Sequence, residues 1–324
     1  LIVVEESFKL KIENVAIIGA GTMGHALALV HALGGCSVRI TDLSSETLTA
    51  APGLIDAACQ NLVDAGEVTQ DTADTAIKRI QFIADLVEAI TNADLIVEAI
   101  VEKEDIKRTL FAEIDAIAPA DVIIASNTSY LDIFPLVPAS RQKNTLIAHW
   151  YTPPYIIDLV DIAAGPKTSP DVISTIHDLY KGFGKEPLLF ERLIPGYIAN
   201  RLQAALNLEC LRMIDEGWVS PSDIDHSVRH GLASRLAILG HMKKMDYTDL
   251  RMSRNGIASR MYQPPEITGG SETLTRLIEE GRTGVRAGAG FYDYGDASPE
   301  DLFKARDTKL LKLKQAIKII EKDD

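Results

Sequence analysis

Asn14-Val15-Ala16-Ile17-Ile18-Gly19-Ala20-Gly21-Thr22-Met23-Gly24 is the stretch on which the fold turns. Residues 14–19 read as a short buried strand, an apolar run without alternation that stops at glycine. Met23 to Leu33 reads as a helix, and Val38 to Thr41 as a second strand with Asp42 at its end, eighteen residues beyond Gly24. A glycine triplet alone is a weak signal. Set between a strand and a helix, with an acid after the next strand, it is the fingerprint of a dinucleotide-binding unit. Gly19 permits the tight turn, Gly21 lets the backbone approach a pyrophosphate, and Gly24 lets helix and strand pack closely. Thr22 and Met23 complete the loop, and the helix N-terminus offers N–H groups and a positive dipole end to the phosphates. Asp42 is expected to accept both hydrogen bonds of an adenosine ribose. Its charge repels a 2′-phosphate, and Leu43-Ser44-Ser45 brings no cation, so NAD rather than NADP is the expected cofactor.

Beyond this unit, apolar runs at 95–99, 122–125, 146–149 and 157–162 alternate with helical patterns at 45–65, 106–117 and 170–182. Such alternation predicts an α/β, Rossmann-type, doubly wound and mostly parallel sheet. The runs at 146–149 and 157–162 have no helix-length spacer and are expected to form a terminal antiparallel unit. Around Leu193-Ile194-Pro195-Gly196 the pattern changes to helix signals alone. Tyr197 to Glu216 reads as a long helix, Ser220-Pro221-Ser222-Asp223 as a helix start, and Phe303 to Lys322 as a last helix whose lysines form a solvated face. Two domains are therefore expected: residues 1–194 bind the nucleotide, and residues 195–324 form a smaller, all-helical domain for substrate and dimerisation.

Composition sets the outer limits. The chain has 324 residues, 46% apolar and 24% charged, as soluble globular proteins do. No apolar run reaches about 18 residues, so no membrane span is expected. Leu1-Ile2-Val3-Val4 is too short for a signal peptide. A net charge of −13 argues against nucleic acid as a partner. The three cysteines lie far apart, without CxxC or a neighbouring His pair. Neither disulfide nor metal is expected, and a reducing cytoplasm fits.

With the next segments the chain resembles the L-3-hydroxyacyl-CoA dehydrogenases. The likeness is carried by Val97-Glu98-Ala99-Ile100-Val101-Glu102, Ala125-Ser126-Asn127-Thr128-Ser129, His149 in His-Trp-Tyr-Thr-Pro, Leu159-Val160-Asp161, Pro195 to Arg201, and Gly288 to Tyr294. Oxidising a secondary alcohol needs a base for the hydroxyl proton as hydride leaves, and histidine suits this near neutral pH. The resemblance implies that His149 is that base and that Asp161 holds its far ring nitrogen. It implies that Ser129 and Asn200 bind the reacting oxygen, as donors that stabilise developing negative charge. It places Asn127 near nicotinamide and substrate, and Glu102 and Lys107 against the cofactor's ribose and phosphates. It also implies a homodimer.

Three departures bear on activity and substrate. Asp161 stands where the family has Glu and is one methylene shorter, so either the backbone shifts or a water bridges to His149. Thr152 replaces the Asn of His-x-x-Asn-Pro and loses an amide donor. From Leu43 to Ile77, where the family's coenzyme A lies, there is no Lys or Arg, only Glu46, Asp56, Asp64, Glu67, Asp71 and Asp74. Like charge there opposes a phosphorylated ligand. Gly231 to Gly240 is similar to the family branches acting on free hydroxy acids, such as L-gulonate 3-dehydrogenase and L-carnitine dehydrogenase, although His241 replaces their usual Pro. Arg235 in that segment can grip a carboxylate with both arms of its fork. The expected substrate is a small free 3-hydroxy acid, with a 3-hydroxyacyl-CoA thioester as the alternative. A non-catalytic, crystallin-like NAD-binding protein is the rival of another class.

Overall fold

The computed structural model describes residues 11–265 and 270–322. Leu1 to Val4, read above for a leader, lie outside the described residues. The chain divides into two compact units that meet between Ile198 and Ala199.

In chain order the first unit contains β1 (Asn14–Ile18), α1 (Gly24–Leu33), β2 (Ser37–Thr41), α2 (Ser45–Asp64), α3 (Gln70–Lys78), β3 (Ile80–Phe82) and α4 (Leu86–Ile90). It continues with β4 (Leu95–Glu98), α5 (Glu104–Ile117), β5 (Ile123–Ser126), β6 (Thr145–Trp150), β7 (Leu159–Ala164), α6 (Pro170–Gly182) and β8 (Glu186–Phe190). The strands form one sheet in the order β3-β2-β1-β4-β5-β6-β7-β8. All neighbours are parallel except β6 and β7. Helices cover the central strands, so β4, β5 and β6 are buried along their whole length and need no polar alternation. Ser44, Thr69, Asp85 and Ser169 each cap the helix that follows by accepting a backbone N–H in its first turn.

Strand order reverses between β1 and β4, and ligands of open α/β sheets bind in the crevice at such a point, beyond the carboxyl ends of the strands. The eight residues from Tyr151 to Asp158 join β6 to β7 without a crossover helix, which permits only the antiparallel pairing. That pairing sets His149 directly opposite Asp161.

Two sequence expectations change. The β6–β7 pair is not terminal, because β8 adds a further parallel strand as the edge. Pro187 and the half-exposed pattern of β8 are edge-strand features that read as a break in sequence. The division between units also falls four residues later than the change of pattern at 194. Pro195 to Ile198 stay with the first unit because Tyr197 is fully buried there and donates its hydroxyl to the Thr128 carbonyl at 2.9 Å.

The second unit is helical: α7 (Ala199–Asp215), α8 (Pro221–Ser227), α9 (Ser234–Asp246), α10 (Leu250–Ala258), α11 (Glu272–Glu279) and α12 (Pro299–Glu321). Ser220 and Asp223 close a reciprocal capping box on α8. A π-helical turn, Val228–Ala233, leads into α9, which breaks at Gly240 with φ 66°. Among the described residues, no helix is long and apolar enough to cross a membrane.

Candidate active site

The glycine loop is shaped as a phosphate cradle. Gly19 has φ 99°, and a Cβ there would meet the Ala99 carbonyl oxygen at 2.6 Å. A Cβ on Gly24 would run into the Gly19 carbonyl. At Gly21 a Cβ would meet nothing within 4 Å, so it would fill the open space that a pyrophosphate needs. Met23, at the N-cap of α1, makes no side-chain cap, and the first turn holds no acid. The free N–H groups and dipole end of α1 therefore face that space, and the loop fits a dinucleotide. Asp42 accepts from the Ala20 N–H at 2.7 Å and from the Ser44 N–H at 2.8 Å. These bonds fix the carboxylate beside the loop, with its remaining lone pairs for a ribose. The Thr152 hydroxyl donates to the Met23 sulfur at 3.1 Å, so the residue that replaces the family's Asn is tied to the glycine loop.

Beneath the loop lies a charged group the sequence reading did not single out. Glu98, at the end of β4, is fully buried. It accepts from Lys107 Nζ at 2.5 Å, Ser126 Oγ at 2.5 Å and the Ile100 N–H at 2.9 Å. Lys107 is 1% exposed and lies 3.4 Å from Glu102. Its ammonium is thus held between two carboxylates rather than displayed to solvent. Glu102 accepts from the Thr128 hydroxyl at 2.6 Å and the N–H groups of Ser129 and Tyr130 at 2.8 and 3.0 Å. Burial pushes its carboxyl up, but those hydrogen bonds and Lys107 outweigh it and hold it below the usual range. Glu102 in this way braces the loop that carries Asn127 and Ser129. The Asn127 side-chain oxygen accepts from the Trp150 N–H at 2.9 Å, leaving its amide N–H groups to present to a ligand.

His149 and Ser129 converge at the carboxyl ends of β6 and β5. His149 Nε2 lies 3.2 Å from Ser129 Oγ. Tyr197 stacks on the imidazole, with centroids 4.7 Å apart and planes at 23°. It does so from a left-handed backbone, φ 49°, rare for a bulky residue and held here by its buried hydroxyl. Tyr151 meets the imidazole edge-on at 4.7 Å.

Asp161 is fully buried opposite His149, but the expected hydrogen bond is not made. Nδ1 and Oδ2 stand 3.5 Å apart, and His149 Nδ1 has no hydrogen-bond partner among the described residues. Oδ2 instead accepts the Tyr151 hydroxyl at 2.5 Å. The short side chain reaches the neighbouring tyrosine and stops short of the ring.

Asn200 and Arg235 belong to the second unit. Asn200 is half-buried in the first turn of α7. Arg235, in the first turn of α9, donates Nε and Nη2 back to the Gly231 carbonyl at 2.9 and 2.5 Å, so its fork is folded onto its own helix.

A nucleotide-binding α/β unit with an imidazole and a hydroxyl at the strand ends, followed by a helical unit, defines the class of NAD-dependent alcohol dehydrogenases. Residues 14–192 match the NAD-binding domain of 3-hydroxyacyl-CoA dehydrogenase, and residues 196–294 match its C-terminal domain. The chain belongs to the 3-hydroxyacyl-CoA dehydrogenase family, whose members oxidise CH–OH groups with NAD. It is 28% identical to the 5-formyl-3-hydroxy-2-methylpyridine 4-carboxylate 5-dehydrogenase of Mesorhizobium japonicum, over 94% of this chain and 98% of that one. It is 32% identical to the lambda-crystallin of Oryctolagus cuniculus, over 72% and 73%. A solved structure of a 5-formyl-3-hydroxy-2-methylpyridine 4-carboxylic acid 5-dehydrogenase, described as an NAD+-dependent dismutase, superimposes with a TM-score of 0.84. It is 26% identical and covers 95% of this chain and 99% of its own.

Proposed function

We propose that this dehydrogenase oxidises the secondary hydroxyl of a small free 3-hydroxy acid, with His149 as the base. NAD, when bound, accepts the hydride. His149 Nε2 takes the hydroxyl proton, and Ser129 Oγ, 3.2 Å from that nitrogen, fixes the oxygen as it loses the proton. Tyr197, stacked on the ring, and the Glu102-braced loop keep the two groups in register. Asn200, as a second donor to the oxygen, and Arg235, as a carboxylate partner, enter this reading from the sequence alone.

The observation that carries the mechanism is the pairing of His149 with Ser129 at the strand ends. Replacing His149 by Ala is expected to lower kcat about 10²–10⁴-fold while NAD still binds. Unchanged turnover refutes the assignment.

The preference for a free acid is supported by α2 and α3. Asp56, Asp64, Asp71 and Asp74 are exposed on them, and no cation stands between residues 43 and 77. A coenzyme A carries several phosphates and would meet like charge along these helices as far as Lys78 in the last turn of α3. The name of the Mesorhizobium relative specifies a carboxylate and no thioester. Steady-state assays of free hydroxy acids and their CoA thioesters with NAD decide between them, and turnover of the thioester alone refutes the preference.

We further propose that the protein is a cytoplasmic homodimer. Cys36, Cys59 and Cys210 are all free, and burial pushes the thiols of Cys36 and Cys59 up to about 11, suited to inert packing in a reducing compartment.

A further inference from the structure

The Asp161 carboxylate faces two claimants and bonds only one. Tyr151, just past β6, donates to Oδ2 at 2.5 Å, while His149 Nδ1 stands 3.5 Å from the same oxygen. Asp161 Oδ1 is buried and has no hydrogen-bond partner among the described residues. A hydroxyl this close draws on the carboxylate's charge and fixes where it points. An imidazole gains proton affinity from a carboxylate a few ångströms away, and gains more when its N–H bonds that carboxylate directly.

We infer that Tyr151 is a positioning residue which holds the Asp161 carboxylate off His149 Nδ1 and so makes the imidazole a weaker base than a direct bond to Asp161 would. The inference rests on His149 being the base of the proposed reaction. The other groups facing the imidazole are Ser129 at Nε2 and Tyr197 on the ring face. Further out, Glu102 acts on Tyr197, and Tyr130 acts on Tyr151. Neither tyrosine supplies charge of its own, because burial first and the Asp161 carboxylate next push both hydroxyls up. Asp161 is thus the one anion close to the ring among the described residues, and Tyr151 decides how much of it the ring receives.

The hold of Tyr151 on Asp161 also accounts for the Asp in place of Glu. A Glu at 161 would reach Nδ1 past the tyrosine, whereas an Asp is short enough to be kept by it.

The test follows the His149 imidazole by NMR titration of the full-length protein, which needs neither substrate nor turnover. In Tyr151→Phe, Oδ2 loses its donor and turns to Nδ1, and the titration midpoint is expected to rise by about one pH unit. Asp161→Glu, which keeps the tyrosine, is expected to raise it similarly, and it serves if the first variant does not fold. In an Asp161→Asn background, Tyr151→Phe is expected to leave the midpoint in place. A midpoint unmoved or lowered in Tyr151→Phe or Asp161→Glu overturns the inference, as does a full shift in the Asn background. The pH profile of kcat/KM separates this from the mechanism. If the midpoint rises but the ascending limb for alcohol oxidation does not follow it, Tyr151 positions Asp161 while His149 is not the base.

Discussion

Glu98 and Lys107 leave water together, and that makes each dangerous alone. A buried ion pair adds little net stability, but removing one partner strands the other charge and costs about 3–5 kcal/mol. Glu98 has three donors, so losing Lys107 leaves a fully buried anion with two neutral hydrogen bonds. Lys107→Ala is accordingly expected to lower unfolding stability by about 3 kcal/mol, read as a lower urea midpoint. Combining Lys107→Met with Glu98→Gln should recover most of the loss, and a double variant no more stable than the single one would contradict this account. The sequence placed Lys107 against the cofactor, whereas the structure buries it on Glu98, although its helical face carried the sign. Lys107, Leu110, Phe111 and Ile114 share one helical face of α5, and that spacing turns the lysine inward. Glu98 gave no such sign, because an acid closing an apolar strand reads as an ordinary strand-end charge. Asp161 shows the same limit: the missing methylene was visible in sequence, but the tyrosine that captures the carboxylate emerges only from the turn after β6.

At the scale of elements, α1 is apolar on nearly every side because it is sandwiched between the sheet and α2 and α3. Its last turn carries His31, fully buried among Trp150, Tyr180 and Phe183 at ring separations of 6.0, 5.7 and 5.6 Å. Burial pushes the imidazole down to about 4, against a smaller opposing effect of its bond to the Leu27 carbonyl. Between pH 6.5 and about 4 the unfolded chain protonates this histidine and the folded protein does not, so stability falls as pH falls through that window. The full drop is about 3 kcal/mol. His31→Leu is expected to flatten the dependence of the urea midpoint over that range, and an equal slope in both proteins would exclude His31 as its source. Glu102 acts lower, since its depressed carboxyl gives stability that is present above its ordinary value and lost on further acidification. The element pattern that frames this cluster was readable, from the strand-glycine-helix unit through α6. Short or exposed pieces were not, because β3 spans three residues and β8 carries a proline, so neither shows a period.

The two units of the whole molecule differ in how they treat apolar surface. Buried strands and helices give the first a continuous core, whereas no residue of α7, α8, α9 or α10 is buried. Large side chains stand exposed along these helices, among them Leu202, Met242, Leu250, Met252 and Ile257. We take these exposed apolar side chains for a contact surface. Permanent homodimer interfaces resemble a domain core cut in half, and the proposed homodimer would give these side chains such a setting. In the proposed homodimer a second copy would complete the packing of the helical unit. Leu250 and Ile257 lie seven residues apart on one face of α10 and are 56% and 80% exposed. A charge at both positions would cost little in a monomer but would be desolvated without a partner inside a dimer. The wild-type protein is expected to sediment as a dimer at micromolar concentration, and Leu250→Glu with Ile257→Glu as a monomer that keeps NAD binding in the first unit. A wild type that sediments as a monomer across that range would mean these side chains face water, and the helical unit would then owe its fold to something other than a second copy.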